Sequence, residues 1–245
     1  DFCLSRGLGD VYKRQRQNLQ AVRQRITDAA NSAQRDVHGV ELLAVSKTFG
    51  ADAVIAAAEA GQGAFGENYL QEALEKIAEV KATRPDLELE WHFIGPIQSN
   101  KTRPIAEHFD WVHSVDRLKI AQRLSEQRPA TLPPLNVCLQ VNISGEASKS
   151  GVLPAETLAV AQAIAALPRL QLRGLMAIPE AVGDAEQQRL PFRQMHALLD
   201  QLRAEGLKLD TLSMGMSGDM AAAIAEGATI VRIGSAIFGT REYAK

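Results

Sequence analysis

The feature that most constrains this fold is a regular alternation of short apolar segments with segments of helical length. Parallel strands need a crossover connection, so such an alternation predicts a parallel sheet. At 245 residues, eight such units favour a closed (β/α)8 TIM barrel over an open doubly wound sheet. The predicted strands span 41–47, 63–66, 89–94, 110–113, 135–142, 170–176, 210–214 and 229–233.

An amphipathic helix over 18–33 precedes the first strand, because Leu19, Val22 and Ile26 recur at spacings of three and four. We expect one barrel domain from 16 to 245, preceded by a segment at 1–15 that has neither helical nor strand periodicity. We interpret that segment as an unpatterned tail or an artefact of cloning or sequence assembly. The other predicted helices span 52–60, 69–81, 116–127, 154–166, 186–205 and 218–226.

The composition excludes several partner classes. With 27 basic and 29 acidic residues the net charge is -2, which offers no electrostatic footprint for nucleic acid or for an anionic membrane. No apolar run approaches the roughly 20 residues of a spanning helix. Cys3 and Cys138 lack CxxC spacing and the five histidines form no HExxH motif, so we expect no metal and a cytoplasmic location. We expect a monomer that binds a small molecule.

Lys47 ends the first apolar segment, in LLAVSKTFG at 42–50. Active sites of such barrels lie at the C-terminal ends of the strands, so its amine is expected at the barrel mouth. There a lysine can form a Schiff base with a carbonyl compound. The alternative is a structural lysine that forms an ion pair with Glu67 or a similar neighbour.

Glycine-containing loops follow the seventh and eighth strands. Barrels frequently bind phosphate with these two loops and the N-terminus of a short extra helix. Gly234 follows the eighth strand and precedes the short stretch SAIF, which predicts an anion site there. The other residues of the two loops that we assign to this site are Ser213, Gly215, Met216, Ser217 and Ser235.

Three other polar residues have open interpretations. Arg232 is either a structural ion-pair partner or a donor to a ring nitrogen or carboxylate. Asn68 is either a ligand contact or the N-cap of a helix. His92 is interpreted as a hydrogen-bonded histidine inside the barrel. A lysine amine, an anion site and an arginine at one barrel mouth suggest a phosphorylated aldehyde, of which pyridoxal 5'-phosphate (PLP) is the obvious example.

Seven motifs resemble those of the PLP homeostasis proteins, single-domain relatives of the alanine racemase barrel, over about residues 18 to 243. They are AVSKTF, FGENYLQEALEK, WHFIGPIQSNK, VNISGEASKSG, LRGLMAIP, LSMGMSGDM and VRIGSAIFG. The resemblance implies a single-domain PLP-binding barrel whose cofactor-binding residues are Lys47 (Schiff base), Asn68 and Met176 (ring), Ser213, Gly215, Met216, Ser217, Gly234 and Ser235 (phosphate), and Arg232 (pyridine nitrogen).

The resemblance leaves a carrier and an enzyme to be distinguished. Two-base racemisation needs a second acid/base, which racemases supply as a tyrosine with the help of a C-terminal β-domain. The tyrosines here are Tyr12, Tyr69 and Tyr243, and none is expected in such a domain. An arginine at the pyridine nitrogen also weakens the ring as an electron sink. The sequence therefore favours a protein that stores PLP and delivers it to PLP-dependent apoenzymes, with a racemase as the alternative. A Schiff-base aldolase would need a general acid/base close to the amine, and no carboxylate pair in this sequence is convincingly placed for that role.

Overall fold

The computed structural model describes residues 2–240, with side chains from residue 7 onward. Over these residues eight parallel strands pair in chain order and close into a barrel through the first and eighth strands. The predicted TIM barrel is therefore confirmed. The strands are β1 (Glu41–Val45), β2 (Ala64–Glu67), β3 (Glu90–Phe93), β4 (Trp111–Val115), β5 (Leu135–Gln140), β6 (Leu170–Met176), β7 (Thr211–Ser213) and β8 (Ile230–Ile233).

Helices connect the strands, and the predicted helices are all present; apart from the first, their ends shift by only a few residues. The helix at 102–108 is the one that periodicity missed, because it is short and contains Pro104. The helices of the described part are α1 (Phe2–Ser32), α2 (Ala51–Glu59), α3 (Leu70–Thr83), α4 (Thr102–His108), α5 (Leu118–Gln127), α6 (Thr157–Ala165), α7 (Ala185–Ala204), α8 (Met220–Ala225) and α9 (Ser235–Phe238).

Helix α1 begins well before the predicted start at residue 18. Its first half covers nearly all of the segment in which we predicted no regular structure. Leu8 and Val11 are more than half exposed there, so this part of the helix does not present the apolar stripe that periodicity detects. From Leu19 onward the stripe is buried. The assignment of 1–15 to a region outside the barrel domain stays a prediction.

The barrel separates two buried layers. The larger layer lies between the strands and the surrounding helices and is apolar. The smaller layer contains Leu43, Trp111, Cys138, Met176 and Ile230, with alternate strand residues contributing as the strand period requires. Branched apolar residues usually dominate the interior of such a barrel. Here β3, β4, β7 and β8 also contribute buried polar side chains that are hydrogen-bonded across the interior, namely His92, His113, Ser213 and Arg232.

A helix that spans a membrane must be about 20 residues long and predominantly apolar. None of the helices in the described residues meets both requirements.

Candidate functional site

A cavity of about 830 Å³ opens at the C-terminal ends of the strands, the face on which barrel active sites lie. Seven of the ten predicted site residues line it: Lys47, Asn68, Met216, Ser217, Arg232, Gly234 and Ser235. Val45, Phe49, Ile94, Ile178, Gly218, Gly239 and Thr240 complete the lining. The structure therefore brings together residues from β1, β2, β8 and the loop after β7.

The turn that carries Lys47 is held by buried charges. The Ser46 hydroxyl donates to Glu67 Oε1 at 2.7 Å, and Lys76 Nζ donates to the Ser46 carbonyl at 2.8 Å. Lys76 also forms an ion pair with Glu67 at 2.5 Å. Burial raises the pKa of Glu67, and Lys76 acts in the opposite direction. These contacts fix the backbone that leads to Lys47.

The other side of the same turn is equally constrained. Thr48 has φ of 69°, a left-handed conformation that a β-branched residue rarely adopts. Its N–H donates to Glu72 Oε1 at 2.5 Å, and Glu72 in turn lies 3.1 Å from Lys76 Nζ. β1 thus ends at Val45, two residues earlier than predicted, and Lys47 lies in a strained turn. Such strain persists only where the surroundings enforce it.

Asn68 directly follows β2, and the structure contradicts its interpretation as a helix cap. The N-cap of α3 is Tyr69, which makes no side-chain capping bond. Asn68 Oδ1 is buried and has no hydrogen-bond partner. Gly95 packs tightly on this residue, since a Cβ there would lie 2.2 Å from the Asn68 carbonyl oxygen. Asn68 lines the cavity, and an unsatisfied buried acceptor in a lining residue fits a ligand that donates a hydrogen bond.

Arg232 is 5% exposed and lies at the floor of the cavity. It donates to Ser213 Oγ at 2.7 Å and to the Ala177 carbonyl at 3.0 Å. Among the described residues no carboxylate lies within ion-pair distance of it. Burial lowers its pKa to about 10, so the guanidinium stays charged near neutral pH. A buried cation without a carboxylate partner is costly and suits an electron-rich ligand atom.

The start of α9 supplies backbone donors. Gly234 is its N-cap and has no side chain to cover the N–H groups of Ser235 and Ala236, for which the helix offers no acceptor. The N–H groups of Ile237 and Phe238 donate to the Gly234 carbonyl. A Cβ at Gly234 would lie 3.2 Å from the Val45 carbonyl oxygen, a tight contact. Phe49 stacks on Phe238 with ring centroids 5.2 Å apart, which joins α9 to the loop that carries Lys47.

The loop after β7 contributes two of its predicted residues to the cavity. Gly215 turns the chain with φ of 103°, a conformation that glycine adopts at no steric cost. Met216 N–H donates to Asp219 Oδ1 at 2.7 Å, and Arg25 donates to the Ser217 carbonyl. Met216 and Ser217 line the cavity, whereas Gly215 does not.

Two further predicted residues lie beneath the cavity. Met176 is 1% exposed and packs in the apolar interior layer. Ser213 is fully buried and its hydroxyl contacts Arg232 and His113. The strand period turns both side chains into the barrel, so neither lines the cavity wall. The contacts with ring and phosphate that the resemblance implies for them stay predictions.

The structure confirms the interpretation of His92 as a hydrogen-bonded histidine inside the barrel. It is fully buried, with Nδ1 2.7 Å from His113 Nε2 and Nε2 2.7 Å from Glu90 Oε1. Sequence analysis missed His113, Phe49 and Ile178. Phe49 and Ile178 each follow a strand closely, and that position was the signal that could have identified them.

A second cavity, of about 910 Å³, lies at the N-terminal face beneath α1. Its ionisable lining residues are four carboxylates, from Glu41, Glu88, Glu90 and Asp110, together with His38 and Arg23. Ligand atoms of Glu41, Glu90 and His92 lie within 4.8 Å of one another. A hydrogen bond from His92 lowers the pKa of Glu90, whereas burial raises the pKa of Glu41. This face is rich in carboxylates and does not suit an anion.

The family model of the alanine racemase N-terminal domain matches residues 17–242, which defines the class of barrel. A PLP homeostasis protein of Pseudomonas aeruginosa is 64% identical over 227 residues, 93% of this chain and 96% of that protein. The Escherichia coli K12 protein of the same name is 54% identical and covers 93% of this chain and 97% of its own length. The chain therefore belongs to the pyridoxal phosphate homeostasis protein family.

A solved relative has the same fold. The structure of PipY from Synechococcus elongatus with PLP bound superposes with a TM-score of 0.75 at 38% identity. The match covers 87% of this chain and 100% of that chain.

Proposed function

We propose that this chain binds PLP in the C-terminal-face cavity and that it stores the cofactor and delivers it to PLP-dependent apoenzymes in the cytoplasm. The observation that carries the proposal is the convergence of Lys47, Arg232 and the start of α9 on one cavity of about 830 Å³. The names of the relatives and the PLP in PipY support it. When bound, PLP supplies an aldehyde that condenses with a primary amine with loss of water.

The residues present fit this group at four points. Lys47 offers the amine, on a turn that buried charges hold in place. Arg232 offers N–H donors and positive charge at the cavity floor, where a ring nitrogen would accept. The first-turn N–H groups of α9, with Ser235 beside them, suit a phosphate. Asn68 Oδ1, a buried acceptor without a partner, suits the ring hydroxyl.

The chemistry of the cavity wall supports a carrier rather than a racemase. Among the described residues that line the cavity, the ionisable side chains are Lys47 and Arg232, and neither tyrosine, histidine nor carboxylate joins them. Two-base proton transfer needs a second group within hydrogen-bond reach of the substrate. Tyr69 is 50% exposed and lies outside the lining. Tyr243 lies outside the described residues.

Reductive labelling tests the binding proposal. The purified protein is incubated with PLP, reduced with borohydride and digested, and the pyridoxyl group is located by mass spectrometry. We expect the label on the peptide that contains Lys47, and no such label in Lys47→Arg, which keeps the charge but not the nucleophile. A label confined to another lysine, such as Lys149, would contradict the assignment.

Turnover and transfer distinguish a carrier from an enzyme. We expect the loaded protein to reactivate a PLP-dependent apoenzyme faster than cofactor lost spontaneously to solution can do. We also expect turnover of alanine and serine far below the order of 1 s⁻¹, the lower end of the usual enzyme range. Turnover at or above that rate would support the racemase alternative.

A further inference from the structure

Arg232 is the end of a chain of hydrogen bonds that crosses the barrel interior. The chain runs from Arg232 Nη1 to Ser213 Oγ at 2.7 Å and from Ser213 Oγ to His113 Nδ1 at 2.7 Å. It continues from His113 Nε2 to His92 Nδ1 and from His92 Nε2 to Glu90 Oε1, both at 2.7 Å. We call these five residues the interior relay. Its first member lines the C-terminal-face cavity and its last member lines the N-terminal-face cavity.

The direction of the hydrogens follows from the donors and acceptors present. A guanidinium only donates, so Ser213 Oγ accepts from Arg232. Among the described residues the acceptor left for the buried Ser213 hydroxyl hydrogen is His113 Nδ1. Burial, with the Arg232 guanidinium nearby, holds the pKa of His113 well below its ordinary value. His113 is therefore neutral, and its single N–H lies on Nε2.

The same logic fixes the rest of the relay. His113 Nε2–H donates to His92 Nδ1, which leaves Nε2 of His92 as the donor to the Glu90 carboxylate. Each hydrogen bond of the relay then has one donor and one acceptor, and each member polarises the next. Trp111 stacks parallel on His92 with ring centroids 5.2 Å apart, which restricts rotation of that imidazole.

We propose that His113 and His92 are positioning residues for Arg232, and that the relay orients the guanidinium toward the ring nitrogen of the bound cofactor. His113 holds the Ser213 hydroxyl with its lone pair toward Arg232, and the Ala177 carbonyl holds the other Nη. Neither histidine lines the cavity, so their effect on the cofactor is transmitted through Ser213. This inference rests on the proposed PLP site.

The tautomers can be measured without cofactor. In apo protein labelled with ¹⁵N-histidine, long-range ¹H–¹⁵N correlation spectra should show His92 and His113 as neutral Nε2–H tautomers, with His113 unchanged between about pH 5.5 and about pH 8. His113 found as the Nδ1–H tautomer, or titrating in this range, would overturn the relay. This result is independent of the folding of any variant.

Variants then test the effect on the cofactor. His113→Phe breaks the relay, and we expect about 5- to 10-fold weaker PLP binding, the size of one buried hydrogen bond, with a shifted absorbance maximum of the bound cofactor. His113→Gln, whose amide both accepts and donates, should restore part of both. Cys138→Ala is the matched control, because Cys138 is fully buried in the interior layer but lies outside the relay.

The outcomes separate this proposal from the one on which it rests. Labelling of Lys47 in the parent protein together with a His113→Phe spectrum and affinity equal to those of Cys138→Ala would overturn the positioning role alone. Absence of labelling in the parent protein would overturn the PLP site itself.

Discussion

The two ends of the barrel have cavities of similar size and opposite chemistry. The C-terminal face offers about 830 Å³ with Lys47 and Arg232, and the N-terminal face offers about 910 Å³ in which four carboxylates outnumber Arg23. Volume alone would select the N-terminal face. Charge selects the other, because a phosphorylated aldehyde needs an amine, cations and N–H donors. The comparison teaches that the side chains lining a cavity, and not its size, identify the ligand.

The largest expected effect is the loss of covalent capture at the C-terminal face. Lys47→Ala removes the amine, so the borohydride-stable label should vanish and PLP should bind at least about 100-fold more weakly, as expected when the only bond to the aldehyde is lost. Absorbance titration measures the affinity.

His38→Ala at the N-terminal face is the matched control and should bind PLP like the parent protein. His38 is exposed and lines the other cavity. Weakened binding in His38→Ala and unchanged binding in Lys47→Ala would reverse the assignment of the two faces.

The second prediction concerns stability. Lys76→Met leaves Glu67, which is fully buried, without its ion-pair partner, and we expect a loss of about 3–5 kcal/mol in the free energy of unfolding. Urea denaturation measures it. Adding Glu67→Leu should recover much of the loss, because an apolar pair leaves no buried charge.

Asp210→Asn is the comparison at the N-terminal face. Asp210 pairs with Arg173 at 2.9 Å, but its side chain is 63% exposed. We therefore expect the free energy of unfolding to fall by less than about 1 kcal/mol. Equal losses of unfolding free energy in Lys76→Met and Asp210→Asn would show that burial does not determine how much each ion pair contributes to stability.

The third prediction concerns the phosphate. Gly234→Asp places a negative side chain at the start of α9, and the preference of the parent protein for PLP over pyridoxal should fall by about tenfold, since like charges repel at short range. Competition titrations with the two ligands measure the preference.

Gly63→Asp adds the same charge beside the N-terminal-face cavity, where a Cβ meets nothing within 4 Å. The preference should survive in that variant. Equal affinity of the parent protein for PLP and pyridoxal would refute the phosphate site.

The smallest expected effect is a pH dependence at the N-terminal face. Partial desolvation by the surrounding residues raises the pKa of Glu41 above its ordinary 4.5, although its side chain keeps contact with solvent. Glu90 acts in the same direction, and His92 and Arg173 act in the other. The folded state therefore binds the proton of Glu41 more tightly than the unfolded state does. As pH rises above 4.5, Glu41 therefore lowers the stability of the folded state.

Glu41→Gln removes this loss, so the variant should gain stability relative to the parent protein between about pH 4 and about pH 7. The gain is small, because Glu41 is exposed and solvent screens its charge. Urea midpoints at both pH values measure it. A constant difference between the two proteins would contradict the raised pKa.

Much of the architecture was predictable because local patterns report on it. The predicted bounds of β6 agree with the observed ones at both ends, because an apolar run between two turns has few other possible structures. Lys47 and Gly234 were found from their positions after strands, because parallel strands bring their C-terminal ends together. Periodicity missed α4 because seven residues that include a proline are too short to show a helical period. Of the two interpretations of Asn68, the N-cap was wrong because Tyr69 is the N-cap of α3.

The sequence by itself determined the strand count, the closed parallel sheet and the end of the barrel that carries Lys47, because period and loop chemistry are local properties. Only the tertiary structure decided that Ser213 turns inward to Arg232, that His113 lies between Ser213 and His92, and that Glu67 pairs with Lys76. Ser213 and His113 are 100 residues apart. Contacts across a barrel interior depend on strand register and tilt, which no local segment of the chain specifies.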